Sequence, residues 1–152
     1  MSLFKKITSA ARNRATYTAG MLQTRAYKIL VEETSLVLAP LGISTTEWAM
    51  LGLLLELGSM RPKHIAEFVG VEPPFVTVMA AHLKQCGWVT EMTDAKDSRA
   101  KLLSITEKGK SFVRKTEVHV RNQMRPLVSG VSPADLLGYL AVLESIIKNS
   151  EK

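Results

Sequence analysis

This 152-residue chain predicts a mainly α-helical protein with one small β-wing, on three observations. Apolar residues recur at helical spacing along most of its length. Isolated glycines and first-turn prolines punctuate those runs where helices begin and end. Two β-prone runs around a charged turn interrupt the helices once, between Trp88 and Thr106.

Leu3, Phe4, Ile7 and Ala11 predict a short opening helix. Met21-Leu22, Ala26, Ile29-Leu30, Leu36-Val37 and Leu41 predict a long second one, loosened near Gly20 and stopped at Pro40. Ser44-Thr45-Thr46-Glu47 is a capping box, in which hydroxyl and carboxylate each satisfy a free backbone N–H. It starts a helix over Trp48 to Leu57, ended by Gly58. Pro62 fits the first turn of a helix over Lys63 to Val69, and Gly70 fits its end.

Pro73-Pro74 opens the next helix, Phe75 to Cys86, which Gly87 ends. Two prolines are tolerable in a first turn, where their missing N–H groups would lack helical partners anyway. The runs from Trp88 to Thr93 and from Leu102 to Gly109 then flank the turn Asp94 to Lys101 as a β-ribbon. After Thr106 a long helix carries Phe112, Val113, Val120, Met124 and Leu127, kinked at Pro126 and stopped at Gly130. Ser132-Pro133-Ala134-Asp135 caps a final helix. Its Leu136, Leu140, Leu143 and Ile147 form a narrow apolar stripe suited to a helix–helix seam.

The length suits one compact domain with a real core. Within it we distinguish N-terminal helices over 1–42, a central α-α-α-β-β region over 43–108, and C-terminal helices over 109–152. The net charge of +6 and pI near 9.6 favour an acidic partner. No acid precedes Glu32, whereas Lys5, Lys6, Arg12, Arg14, Arg25 and Lys28 do. A second basic cluster runs from Lys108 to Arg125, opposed mainly by Glu117. Such clusters suit phosphate contacts or a solvated helix face. The single cysteine, Cys86, excludes an internal disulfide framework and fits a reducing compartment. No apolar run approaches the ~20 residues of a membrane-spanning helix, so a cytoplasmic protein without membrane contact is expected. Met1 to Leu30 also fits an organellar transit peptide, but its helical pattern continues unbroken into the body of the chain.

The order of elements, with a basic β-ribbon just after a helix-turn-helix, resembles the winged helix-turn-helix of the MarR family of transcription regulators. The residues that carry the resemblance are Leu41-Gly42-Ile43-Ser44, Ile65-Ala66, Val76-Thr77 with Leu83 and Gly87, Asp97-Ser98-Arg99, and Ile105-Thr106-Glu107-Lys108-Gly109. It extends over nearly the whole chain, because that family brackets its winged helix with terminal helices that form a homodimer. By resemblance, Leu3 and Ile7 with Leu136, Leu140, Leu143 and Ile147 form the dimer interface.

The resemblance implies binding to duplex DNA. The helix from Pro73 is the recognition helix, whose N-terminal residues lie nearest the bases in a helix-turn-helix. Pro73, Pro74 and Phe75 can meet thymine methyls, and Thr77, His82 and Lys84 are its hydrogen-bonding groups. This chain departs from the family at Val78, Ala80 and Ala81, where polar residues are common; Met79 reads as core. In the ribbon, Arg99 corresponds to the wing residue that enters the minor groove and Asp97 to its brace. Lys96 and Lys101 are phosphate candidates, as are Arg61 and Lys63 nearer the third helix. Ser98 replaces the first of two adjacent arginines.

Many proteins of this type bind small aromatic or phenolic acids between the dimer helices and the winged domain. The matching positions are Arg25, Tyr27, Lys28, Thr45 and Trp48, where cations beside rings suit a carboxylate-bearing ring compound. Enzyme signatures are absent: Gly58, Gly70 and Gly87 are isolated helix ends, and His64, His82 and His119 show no metal-ligand spacing. No cofactor or metal is expected. The expected function is therefore a homodimeric DNA-binding transcription regulator, a repressor by resemblance, possessing an aromatic effector pocket. The alternative is a winged-helix dimer that serves as a protein-interaction module without reading sequence, which the apolar run Val78-Met79-Ala80-Ala81 favours.

Overall fold

The computed structural model of the chain describes Lys5, Lys6, Ser9, residues 16–95 and residues 97–150. Helix α1, Thr16–Leu38, runs into a 3-10 turn, Ala39–Leu41, closed by Gly42 at φ 72°. Pro40 ends the α-helix as expected, because it cannot donate the next helical hydrogen bond. Gly20 does not loosen α1; the helix passes through it, and Thr24 Oγ1 donates to its carbonyl at 3.0 Å.

Helix α2, Thr45–Leu57, begins at the capping box: Ser44 Oγ accepts from the Glu47 amide at 3.1 Å, and Ser44 N donates to Glu47 Oε2 at 2.9 Å. Helices α3, Pro62–Val69, and α4, Pro73–Gln85, both begin on proline and form the helix-turn-helix. Strands β1, Val89–Asp94, and β2, Asp97–Ile105, pair antiparallel. Helix α5, Glu107–Met124, continues into a 3-10 turn at Arg125–Val128, and α6, Pro133–Ser150, ends the described chain.

The core gathers one face of each central element. Leu38, Met50, Leu51, Leu54, Ile65, Val76 and Leu83 are fully buried, and Val113 and Val120 of α5 close over them. On α4 the buried set is Val76, Ala80 and Leu83, a spacing of four and three that defines a single helix face. Ala80 is therefore a core residue, not a readout position. Trp88 stacks on Phe112 at 3.9 Å between ring centroids.

The ribbon differs in detail from the expected eight-residue turn. Regular pairing runs from Val89↔Ile105 to Thr93↔Lys101; the register then shifts and Asp94 pairs with Asp97. Residues 98–100 thus lie on β2 between two paired positions. Met60 adds a third short edge, exchanging both backbone hydrogen bonds with Leu103 at 3.0 and 2.9 Å. At the base of the ribbon, Gly109 meets the Trp88 carbonyl so closely that a Cβ would lie 2.3 Å from its oxygen.

Helix α6 has no buried residue. Leu140 is 52% exposed and Ile147 60%, while Leu143 is half-buried. Leu137, Tyr139, Val142 and Ile146 are exposed as well, so its apolar surface is broad and not the narrow stripe expected. Leu3 and Ile7 lie outside the described residues.

Candidate nucleic-acid interface

The wing is held to the helix-turn-helix by a clamp that periodicity does not reveal. Arg61, the residue before α3, donates Nε and Nη2 to Asp94 Oδ2 at 3.1 and 2.7 Å, and Nη2 lies 3.6 Å from Asp97 Oδ2. Hydrogen bonding to Asp94 is the main reason the guanidinium is held charged even above its usual range. Two carboxylates thus engage Arg61 and tie the turn before α3 to the wing tip. Arg61, expected as a phosphate contact, braces the wing, and Asp97 shares the brace.

Lys84 of α4 and Lys101 of β2 converge on Glu91 of β1. Lys101 Nζ sits 2.5 Å from Glu91 Oε1, and Lys84 Nζ is bonded to Oε2. Lys101 first and Lys84 second hold the Glu91 carboxyl down at about 2, and Glu91 in turn raises Lys101. Lys101, an expected phosphate contact, and Lys84, an expected hydrogen-bonding group of the recognition helix, are therefore cross-linked through one carboxylate, although Lys101 remains 73% exposed.

His82, expected among the DNA-binding residues, is engaged within the domain. Its Nδ1 lies 2.7 Å from Glu47 Oε1, and because an ionised carboxylate only accepts, Nδ1 must donate. Its Nε2 faces Cys86 Sγ at 3.6 Å. Glu47 also accepts from Ser44 Oγ at 2.8 Å. Burial pushes the Glu47 carboxyl upward, but the Ser44 amide, His82 and the Ser44 hydroxyl outweigh it and hold it below the usual carboxylate range. Glu47 thus joins the start of α2 to the C-terminal half of α4. The described residues contain no group of three metal-ligating side chains.

The solvent-facing part of α4 is its N-terminal half. Pro73, Pro74, Phe75, Thr77 and Val78 are exposed there, and Ala81 continues the surface one turn on. Phe75 is 62% and Val78 68% exposed, so neither is core; Met79 is half-buried against it. Lys63 of α3 is exposed. Arg99 lies on β2 with its side chain beyond what the structure describes, and Lys96 lies outside the described residues.

A cleft of about 480 Å³ opens between α1, α2 and α3, lined in part by Tyr27, Thr34, Thr45, Trp48, Leu53 and Phe68. Three of the five expected effector residues, Tyr27, Thr45 and Trp48, meet there; Arg25 and Lys28 do not line it. The Trp48 indole N–H is buried without a hydrogen-bond partner among the described residues. A second cleft between α1 and α6 shares Tyr27 and Leu30 with the first.

Sequence reasoning missed the acids that organise this surface, Glu47, Glu91 and Asp94. Only Glu47 carried a local signal, as the last residue of the capping box. The alternation of exposed and buried positions on α4 was available from the spacing of Val76, Ala80 and Leu83.

Residues 43–101 match the model of the MarR family. The HTH-type transcriptional regulator YwoH of Bacillus subtilis is 30% identical over 80 residues, which are 53% of this chain and 58% of that protein. The match thus spans little more than half of the relative's length. Among solved structures, a MarR-family transcriptional regulator from Rhodococcus sp. RHA1 superposes with a TM-score of 0.78 at 20% identity, covering 87% of this chain and 94% of that one. CouR from Rhodococcus jostii RHA1, bound to p-coumaroyl-CoA, gives 0.78 at 22% identity over 84% and 90%.

Proposed function

We propose that this chain, whose residues 43–101 match the model of the MarR family, is a cytoplasmic transcription regulator, not an enzyme, that binds duplex DNA as a homodimer. The observation that carries this reading is the exposed N-terminal half of α4 beside a wing clamped by Arg61 to Asp94. In a helix-turn-helix that half of the second helix enters the major groove. A fixed wing adds backbone contacts at no further ordering cost, with Arg99 and Lys96 as its groove and phosphate residues, and Lys63 serving from α3.

Exposed surface supports the dimer. Helix α6, with the exposed Met21 and Leu36 of α1, supplies apolar surface for an interface between two copies. Two linked half-site readers also double the number of phosphates neutralised.

The cleft between α1, α2 and α3 serves as the effector pocket. CouR holds an aromatic thioester, p-coumaroyl-CoA; here Tyr27, Trp48 and Phe68 offer ring surfaces, and the hydroxyls of Thr34 and Thr45 offer polarity. Among the described residues no cation lines the cleft, so ring stacking and hydroxyl contacts are what these residues offer a ligand.

Fluorescence anisotropy with random duplex across a salt series tests DNA binding. Affinity should fall linearly in log K against log salt, and Arg99→Ala should shallow the slope by roughly 0.9 for each phosphate no longer neutralised. Salt-independent or absent binding would refute the reading. The exposed Phe75 and Val78 favour one rival, an interaction module that no longer reads sequence. That rival predicts no preferred site from a randomised duplex pool.

A further inference from the structure

We propose that this protein reads its half-site through thymine methyl groups, with Phe75 and Val78 as the specificity-determining residues. The inference rests on α4 being the DNA-reading helix.

Two of the three polar groups expected to read bases on α4 are committed elsewhere. His82 gives Nδ1 to Glu47 and faces Cys86 with Nε2, and Lys84 is bonded to Glu91. Pro74, Val78 and Ala81 follow one another by four and three residues along the exposed side of the helix. Phe75 flanks them, three residues before Val78, and Thr77 adds one hydroxyl and one methyl. The surface offered to the groove is therefore apolar, with a single polar group.

Base-pair edges respond differently to such a surface. In the major groove only thymine presents a methyl group; guanine, cytosine and adenine present hydrogen-bond donors and acceptors. Laid against a G·C edge, Phe75 and Val78 would strip water from polar atoms and return no hydrogen bond, which is unfavourable. Laid against thymine, they bury a methyl and gain. The stripe thus selects for thymine and against G·C at the positions it covers.

The occupant is DNA and not a protein groove on grounds of area and charge. Four side chains on one helix, only Phe75 among them large, fall well short of the ~800 Å² per partner of a stable protein interface. The chain around them carries a net charge of +6, with Lys63 exposed on the adjacent helix, and electrostatic attraction to phosphates supplies the affinity that so small an apolar patch lacks.

The test selects a preferred duplex from a randomised pool and then replaces its half-site thymines by deoxyuridine. That change removes the methyl and keeps base pairing and every phosphate. Affinity should fall about fourfold for each methyl contacted, hence roughly fifteenfold when each of two helices contacts one, with an unchanged salt slope. Phe75→Ala and Val78→Ala should shrink the thymine-to-uracil ratio toward one without moving the melting temperature, since both side chains are exposed. Equal affinity for thymine and uracil duplexes overturns the proposal, as does a selected site whose contacted positions are G·C. Recovery of no preferred site overturns it too, leaving general DNA binding intact. Absence of any salt-dependent duplex binding overturns the DNA-binding reading as well.

Discussion

Replacing Glu47 by Ala should loosen the seat of α4 on α2. In the folded chain the Glu47 carboxylate accepts from Ser44 N at 2.9 Å, Ser44 Oγ at 2.8 Å and His82 Nδ1 at 2.7 Å. The substitution orphans the first amide of the capping box, a loss of about 1 kcal/mol. It also removes a charge-assisted hydrogen bond, worth about 1.5–3 kcal/mol when desolvated. His82 is 39% exposed, so water replaces part of that bond and the lower end applies. Alanine returns a few tenths of a kcal/mol as the better helix former. The net loss is about 2–3 kcal/mol, or roughly 4–12 °C in Tm for a chain of this size. Thermal melts followed by circular dichroism measure it directly. A double-mutant cycle with His82→Ala should return a coupling near 1 kcal/mol, which isolates the bridge from the cap. The carboxyl is held below its ordinary value of 4.5 in the folded chain, so its contribution is complete above that value and is lost as pH falls through the lowered one. The gap between wild type and Glu47→Ala should therefore close in acid. A loss under about 0.5 kcal/mol near neutral pH, the size of an ordinary surface change, would refute the bridge between α2 and α4.

Leu140→Asp should give monomers in sedimentation, because an unpaired charge in an apolar seam costs several kcal/mol; an unchanged dimer would remove α6 from the interface. Glu91→Gln should strengthen binding to random duplex and steepen its salt dependence, because Lys84 and Lys101 are released from their shared carboxylate; weaker binding would show that Glu91 positions those lysines for DNA. Methyl 4-hydroxybenzoate should quench the tryptophan fluorescence more strongly than 4-hydroxybenzoate, and Trp48→Phe should abolish the difference. Preference for the carboxylate would mean that a cation from elsewhere reaches the cleft.

Much of the fold was legible because its punctuation is local. The capping box at Ser44–Glu47, the prolines that open α3 and α4, and the glycines that close them act through the backbone of their own turn. The site was less legible because its polar contacts join residues distant in sequence. Arg61 reaches Asp94 across 33 positions, and His82 reaches Glu47 across 35. No periodicity reports which lysine finds a carboxylate and which does not. Met60 was missed as a strand for a similar reason: one residue pairing with Leu103 has no alternation to display. The breadth of the α6 apolar surface could be read from Leu137, Tyr139, Val142 and Ile146, but whether a helix covers its own domain is a tertiary fact.

Helix α6, with none of its residues buried, makes cohesion a collective property in the proposed dimer. Folded dimer and unfolded monomers differ in molecularity, so every tenfold dilution shifts their balance by about 1.4 kcal/mol per mole of dimer toward unfolding. A measured stability then belongs to a stated concentration and not to the polypeptide, and the melting midpoint climbs as the solution thickens. The terminal helices would thus act as a census, leaving an ordered pair of reading heads only where enough copies of the chain are present to meet.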